Sequence, residues 1–182
     1  MKAETGSTSW EFTLWKKNLL FWGVFLLTYF LYKLFPVPPF NLFCGVTEST
    51  FQHFKEGFYA YLVTCVIEYL VFRRKITGWD RFLYSRMAAT IFLPWLIFLL
   101  WYIAPAVYGK FPSDLYEIIY ANLITLLVGF SIVTLERGLA QIVFFRQLKW
   151  LLWILFFVSI FLYTAFTFNL PWADVFVEPA WR

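Results

Sequence analysis

Apolar residues along the chain are grouped in five long runs, separated by short polar or proline-containing segments. The runs lie near residues 18–35, 51–72, 87–108, 115–135 and 150–170. Each is close to the ~20 residues that an α-helix needs to cross a ~30 Å hydrocarbon core. The pattern predicts an all-α fold: a polytopic membrane helix bundle of five transmembrane helices, forming a single integral-membrane domain over residues 1–182.

The composition agrees with a surface that faces lipid. Of the 182 residues, 62% are hydrophobic, 25% are aromatic and only 14% are charged, whereas a soluble domain carries about 25% charged residues. The formal net charge of +4 could suggest nucleic-acid binding, but the cations flank apolar runs instead of forming a contiguous solvated patch. We therefore expect the lipid bilayer, and no nucleic acid, as a partner.

The distribution of cations predicts an orientation. With five crossings, eleven of the fifteen Lys and Arg residues fall on one side of the membrane. Cationic flanks resist translocation, so this side is expected to be the inside. The sequence predicts a multi-pass protein of the cytoplasmic cell membrane with its N-terminus inside and its C-terminus outside.

The second run opens with the richest group of polar residues. Thr47 or Ser49 can cap the helix, and Ser49 followed by Gln52 has the form of a capping box. Counting back from the basic inner end at ~1.5 Å per residue places the outer membrane boundary near His53. We therefore expect His53, Lys55 and Glu56 at that boundary.

Two interpretations of this helix start remain open. It is either a capped end whose Lys55 extends toward the headgroups, or an outward-facing polar site centred on Glu48 and His53. Further polar groups are predicted on the same side, namely Asp114, Glu117, Asn122, Asp174 and Glu178. The candidate ligand-binding residues are Glu48, Ser49, His53, Lys55, Glu117 and Glu178.

Glu68 lies within an apolar stretch, about 7 Å inside the inner boundary. An ionised carboxylate there is costly unless it is paired, and intramembrane acids are often functional. Glu68 is therefore a candidate relay residue. The structural alternatives are a salt bridge to Arg73, Arg74 or Arg86, or a protonated carboxyl hydrogen-bonded to a neighbouring helix.

The single histidine limits the chemistry that can be expected. Histidine-rich zinc sites and the HExxH motif are excluded, while a metal site formed by Glu48, His53 and a second acid remains open. Cys44 and Cys65 are predicted about 18 Å or more apart, too far for a disulfide. No cofactor is indicated, since the chain has no P-loop, CxxC or GxGxxG motif.

Two segments resemble a family of small multi-pass prokaryotic membrane proteins of unknown function. The run from Val46 to Lys55, followed by Glu68 and Tyr69, is similar to that family's N-E-S-x-W-E-H-x-K and later E-Y signature. The segment from Phe166 to Pro179 is similar to its closing aromatic and proline-rich segment. The resemblance implies a membrane architecture and draws attention to Glu48, Ser49, His53, Lys55, Glu68 and Pro179, but it implies no reaction.

Three functional hypotheses follow, and whether the protein is an enzyme stays open. The first is a binding or transport-related component whose outer site recognises a cation or a small polar ligand. The second is a membrane-embedded lipid hydrolase, with or without a metal at Glu48 and His53. The third is a non-catalytic assembly subunit, whose partners would be other membrane subunits or a second copy of the chain.

Overall fold

The protein is all-helical in its computed structural model, which describes residues 11–47, 49–109 and 111–177. No strand occurs within these ranges. Five helices have 21 to 26 residues each and two are short. In chain order they are α1 (Leu14–Leu34), α2 (Phe40–Phe43), α3 (Thr50–Phe72), α4 (Trp79–Trp101), α5 (Ile103–Tyr108), α6 (Asp114–Leu139) and α7 (Arg146–Phe168), followed by a 3-10 turn at Asp174–Phe176.

Four long helices pack as a closed ring. Helix α1 contacts α3 and α6, and α4 contacts the same two helices from the opposite side. The core lies inside this ring and includes Phe21, Tyr61, Leu93 and Val128, all of them fully buried. Helix α7 lies outside the ring, mainly against α4, and Leu152 is its one buried residue in the described part of the chain.

Glycines allow two pairs of these helices to approach closely. A Cβ atom on Gly129 of α6 would lie 2.1 Å from Asn18 Oδ1 and 2.7 Å from Phe21 Cδ1 of α1. A Cβ atom on Gly57 of α3 would lie 2.7 Å from Ile97 Cδ1 of α4. Small residues at helix crossings are typical of membrane bundles, in which close packing drives association.

The exterior of the fold is apolar, unlike that of a soluble protein. Large apolar side chains face outward on the long helices, including Leu27, Trp95, Leu115 and Phe161, each more than 60% exposed. Charged and polar side chains such as Lys17, Glu68 and Glu136 lie at 1% exposure or less. An apolar exterior of this extent is stable against lipid but not against water.

Three segments of the described chain are long and apolar enough to cross a membrane: Trp79–Tyr108, Leu115–Leu139 and Arg146–Phe168. Helices α1 and α3 are of similar length but are not among these three segments. The prediction of a helical protein with membrane-crossing segments is confirmed to that extent. The predicted runs near 18–35 and 51–72 coincide with α1 and α3 as helices.

The helices extend beyond the predicted runs at the basic end of the bundle. Helix α4 begins at Trp79 instead of near residue 87, α6 continues to Leu139, and α7 begins at Arg146. The apolar pattern marks only residues that suit hydrocarbon, whereas a helix continues through the adjoining polar layer. At the other end, the third run is interrupted at Tyr102, between α4 and α5.

Candidate functional site

Helix α3 begins where the sequence predicts, with Ser49 as its N-cap residue. Ser49 is fully buried, and its carbonyl accepts hydrogen bonds from the N–H groups of Gln52 and His53. The predicted capping box does not form. Because the preceding loop folds back over the helix start, Gln52 Oε1 accepts from the Val46 N–H at 3.4 Å, and Thr47 Oγ1 donates to Ser49 Oγ at 3.2 Å.

One turn further along α3, Glu56 is the centre of the polar contacts. Its carboxylate is 1% exposed. Oε1 accepts the Gly45 N–H at 2.8 Å, and Oε2 lies 2.9 Å from His53 Nδ1. The His53 ring in turn stacks on Tyr29 of α1, with ring centroids 6.0 Å apart.

Gly45 is required for this arrangement. A Cβ atom at position 45 would lie 2.5 Å from Glu56 Oε1, closer than any van der Waals contact allows. The glycine therefore lets the loop backbone reach the carboxylate and donate to it.

A small polar pocket, which we call the loop pocket, opens beside Glu56. Its volume is about 120 Å³. Lys33 Nζ at its edge donates to Tyr29 Oη at 2.9 Å and lies 4.2 Å from the centre of the Tyr29 ring. The lining residues are Tyr29, Tyr32, Lys33, Gly45, Val46, Thr47 and Glu56.

Lys55 does not extend to the headgroups, so that part of the capped-end interpretation is wrong. Its side chain is fully buried. Nζ donates to the Asn41 carbonyl of α2 at 2.8 Å and to Thr167 Oγ1 of α7 at 3.0 Å. Lys55 therefore ties α2 and α7 to α3 behind the loop pocket.

The structure brings together part of the predicted site. Ser49, His53 and Lys55 lie in the polar region around Glu56, with His53 in direct contact with its carboxylate. Glu117, on the first turn of α6, is not among the residues lining the loop pocket. Glu48 and Glu178, and the side chains of Asp114 and Asp174, lie outside the described residues.

Sequence reasoning placed Glu56 at the boundary but did not select it as a ligand-binding residue. The available signal was its spacing of three residues from His53, which puts both on one helix face. Tyr29, Tyr32 and Lys33 gave no such signal. They come from α1, and only the packing of α1 on α3 brings them to the pocket.

Glu68 belongs to a second polar group, which we call the charge cluster, formed by Lys17, Glu68, Arg86 and Glu136. The four central helices α1, α3, α4 and α6 each supply one member. Lys17 Nζ lies 2.6 Å from Glu68 Oε2 and 2.5 Å from Glu136 Oε1. Arg86 Nε lies 3.1 Å from Glu68 Oε2, and its Nη2 lies 3.3 Å from Glu136 Oε1.

The cluster balances two positive and two negative charges in a buried position. All four side chains are 4% exposed or less. Tyr61 adds a hydrogen bond from its hydroxyl to Glu136 Oε2 at 2.7 Å. Buried ions are tolerated when they are paired and their remaining hydrogen-bonding positions are filled, as they are here.

The segment before α1 closes the cluster at the basic end of the bundle. The Phe12 N–H donates to Glu68 Oε1 at 3.2 Å, and Glu11 Oε2 lies 3.2 Å from Arg86 Nη2. Arg137 Nη2 donates to the Phe12 carbonyl at 2.6 Å. These contacts hold residues 11–13 across the ends of α3, α4 and α6.

One of the predicted structural partners of Glu68, Arg86, is therefore confirmed. Arg73 and Arg74 are exposed at the end of α3. The roles of Lys17 and Glu136 were missed, because each lies just outside a predicted apolar run. At that position a charged residue is typical of the membrane boundary. Their burial depends on how four helices meet.

The remaining predicted chemistry can be placed in the described residues. Cys44 and Cys65 are both free, as predicted, and the structure shows that both are buried. Burial, with a further contribution from Glu56, raises the pKa of the Cys44 thiol above its ordinary value. No group of three or more His, Cys, Asp or Glu side chains arranged to hold a metal ion occurs in residues 11–47, 49–109 and 111–177.

Comparison of the chain with protein-family models, with curated proteins and with solved structures finds no match. The candidate site therefore has to be interpreted from its own geometry.

Proposed function

We propose that the protein is a five-span protein of the cytoplasmic cell membrane, with its N-terminus inside and its C-terminus outside. Five helices of at least 21 residues support this proposal, since ~20 residues suffice to span the core. Helices α1 and α3 are not among the three most apolar segments. Lys16 and Lys33 lie exposed near the two ends of α1, while Lys17, Lys55, Glu56 and Glu68 are buried in the bundle. Paired inside the bundle, these charges do not have to face lipid.

Cysteine labelling of intact cells tests this topology. The positions Thr77, Ser113, Gln141 and Trp172 are all exposed in the connections or at the chain end, while Cys44 and Cys65 are buried. A membrane-impermeant maleimide should label Ser113→Cys and Trp172→Cys in intact cells, and Thr77→Cys and Gln141→Cys only after lysis. Labelling of all four in intact cells, or the reverse pattern, would contradict the proposal.

We further propose that the protein is a binding or transport-related membrane component whose outward-facing site is the loop pocket. The observation that carries this proposal is the buried Glu56 carboxylate at the wall of a small polar pocket. Convergent polar groups in a concave site are the usual sign of ligand binding. The structural alternative, a helix start that only needs capping, does not require a cavity.

The chemistry of the walls favours a small polar molecule over a bare metal ion. Glu56 can accept hydrogen bonds, and Lys33 and the tyrosine hydroxyls can donate them. Lys33 at the edge and Lys55 behind the carboxylate offset its charge, which weakens the attraction for a lone cation. A ligand with both an amine and an acceptor group could donate to Glu56 and accept from Lys33 or a tyrosine hydroxyl.

Ligand-dependent stabilisation of the purified chain tests this function. We would screen glycine, ethanolamine and glycine betaine, with Zn²⁺ and Mn²⁺ as the metal-ion comparison. A ligand at 100 times its Kd stabilises by about 2.7 kcal/mol, which raises the Tm by roughly 5–11 °C for a chain of this size.

Matched variants locate the binding site. Glu56→Gln keeps the shape of the side chain but removes its charge, and it should abolish the Tm increase. Glu117→Gln, which removes one carboxylate away from the pocket, should retain it. A ligand whose effect survives Glu56→Gln would assign the binding elsewhere and refute the proposed site.

A further inference from the structure

A groove of about 830 Å³ runs along α7. Its wall comes from seven residues of α7 between Arg146 and Val158 and from Tyr84 of α4. The volume lies within the ~300–1,000 Å³ of typical ligand sites. Helix α7 forms this groove because it packs against α4 on only one face.

One end of the groove is cationic. Arg146 and Lys149 lie on the first turn of α7 and line that end. Lys149 Nζ contacts Asp80 Oδ2 and lies 5.3 Å from the centre of the Tyr84 ring. Asp80 is 61% exposed, so this pair is weak, and the three charges together leave the end with one net positive charge.

The start of α7 adds hydrogen-bond donors at the same end. The N-cap residue is Phe145, whose side chain makes no capping hydrogen bond. The first N–H groups of this 23-residue helix therefore lack a side-chain acceptor in the described structure. Helix N-termini with free N–H groups bind phosphate oxygens readily.

The rest of the groove is apolar and aromatic. The rings of Trp153 and Phe157 stack with centroids 5.5 Å apart, and the groove continues to Val158. From Arg146 to Val158 the helix rises about 18 Å, slightly more than half of the ~30 Å hydrocarbon core. The groove therefore has the length of one leaflet, with its cations at the headgroup level.

We propose that the groove on α7 binds one anionic phospholipid, with the phosphate at Arg146, Lys149 and the first turn of α7 and an acyl chain along Trp153 and Phe157. The net positive charge favours a headgroup with net negative charge over a zwitterionic one. The proposal rests on the membrane placement of the chain but not on the loop pocket. Membrane placement is tested separately by extraction with alkaline carbonate, which should leave the protein in the membrane pellet.

Native mass spectrometry of the full chain in mild detergent tests the groove. With phosphatidylglycerol and phosphatidylcholine of matched chains at equal concentration, we expect one bound lipid and a preference for phosphatidylglycerol. Each cation near a headgroup favours an anionic lipid by about fivefold. Arg146→Gln with Lys149→Gln should therefore lower the preference by roughly five- to twentyfold.

Two controls separate the specific groove from general attraction. Arg73→Gln with Arg74→Gln removes the same charge from exposed positions directly after α3 and should leave the preference unchanged. Val158→Trp should reduce the total bound lipid by filling the groove, whereas Leu155→Trp, at a half-exposed position outside it, should not.

Three results would overturn the proposal. They are an equal affinity for the two lipids in the wild type, a preference that persists in the Arg146 and Lys149 double variant, and a dimer mass in place of bound lipid. The last result would assign the groove to a second copy of the chain. All of the changed side chains are exposed or at the groove surface, so a normal elution volume should confirm that each variant is folded.

Discussion

Replacing Lys17 with methionine would unbalance the charge cluster while nearly preserving side-chain volume. Lys17 Nζ contacts one carboxylate oxygen of Glu68 and one of Glu136, at 2.6 and 2.5 Å. Without it, the two carboxylates share only Arg86, and a net negative charge is left in a region that is 4% exposed or less.

The expected loss follows from this geometry. Removing one partner of a buried ion pair costs about 3–5 kcal/mol, because the remaining charge stays desolvated. For a chain of this size, that loss lowers the Tm by roughly 6–20 °C. Lys17→Met combined with Glu136→Gln restores the balance, leaving Arg86 paired with Glu68 at 3.1 Å. The double variant should recover at least about 1 kcal/mol of the loss, within the range of coupling between contacting residues.

Thermal unfolding in detergent, followed by the fluorescence of the ten tryptophans, measures both variants. Lys75→Met is the matched control, since it makes the same substitution at an exposed position after α3 and should change the Tm little. A Lys17→Met Tm equal to that of the wild type would refute the reasoning. Glu136→Gln alone is measured as well, and a double variant whose loss equals the sum of the two single losses would also refute it.

Three further predictions concern other parts of the structure. Gly129→Ala should destabilise the fold by about 1–3 kcal/mol through overpacking, because the added Cβ would lie 2.1 Å from Asn18 Oδ1. Gly138→Ala on the same helix is the control, since a Cβ there meets open space. Equal Tm values for the two variants would contradict the α1–α6 packing. Gly45→Ala should abolish any Glu56-dependent ligand stabilisation, since the added Cβ would lie 2.5 Å from Glu56 Oε1. A ligand-induced Tm increase equal to that of the wild type would show that the pocket tolerates a shifted carboxylate. Cys44 should react with iodoacetamide far more slowly in the folded chain than after unfolding. It is 1% exposed, and its raised thiol pKa lowers the fraction of thiolate, which is the reactive form. Mass spectrometry of the alkylated peptide measures both rates, and equal rates would contradict its burial.

The sequence by itself determined the helical class and the start of α3. Apolar runs of about twenty residues predict helices because a long segment in lipid must satisfy its own backbone hydrogen bonds. Ser49 is a favoured N-cap residue type and lies directly before the run that begins near Phe51. The pairing of Glu68 with a cation was also foreseeable, because a buried carboxylate needs a partner.

Only the tertiary structure decided which residues share a site. Lys17 and Glu136 are 119 positions apart along the chain, and no local pattern links them. They meet because α1 and α6 are neighbours in the ring, and close packing at Gly129 sets how closely the two helices approach. In the same way Tyr29 reaches His53 only through the packing of α1 on α3. The apolar pattern and the charges along a helix indicate whether its surface suits lipid or a polar environment. The order of the helices around the core determines which side chains of other helices that surface contacts.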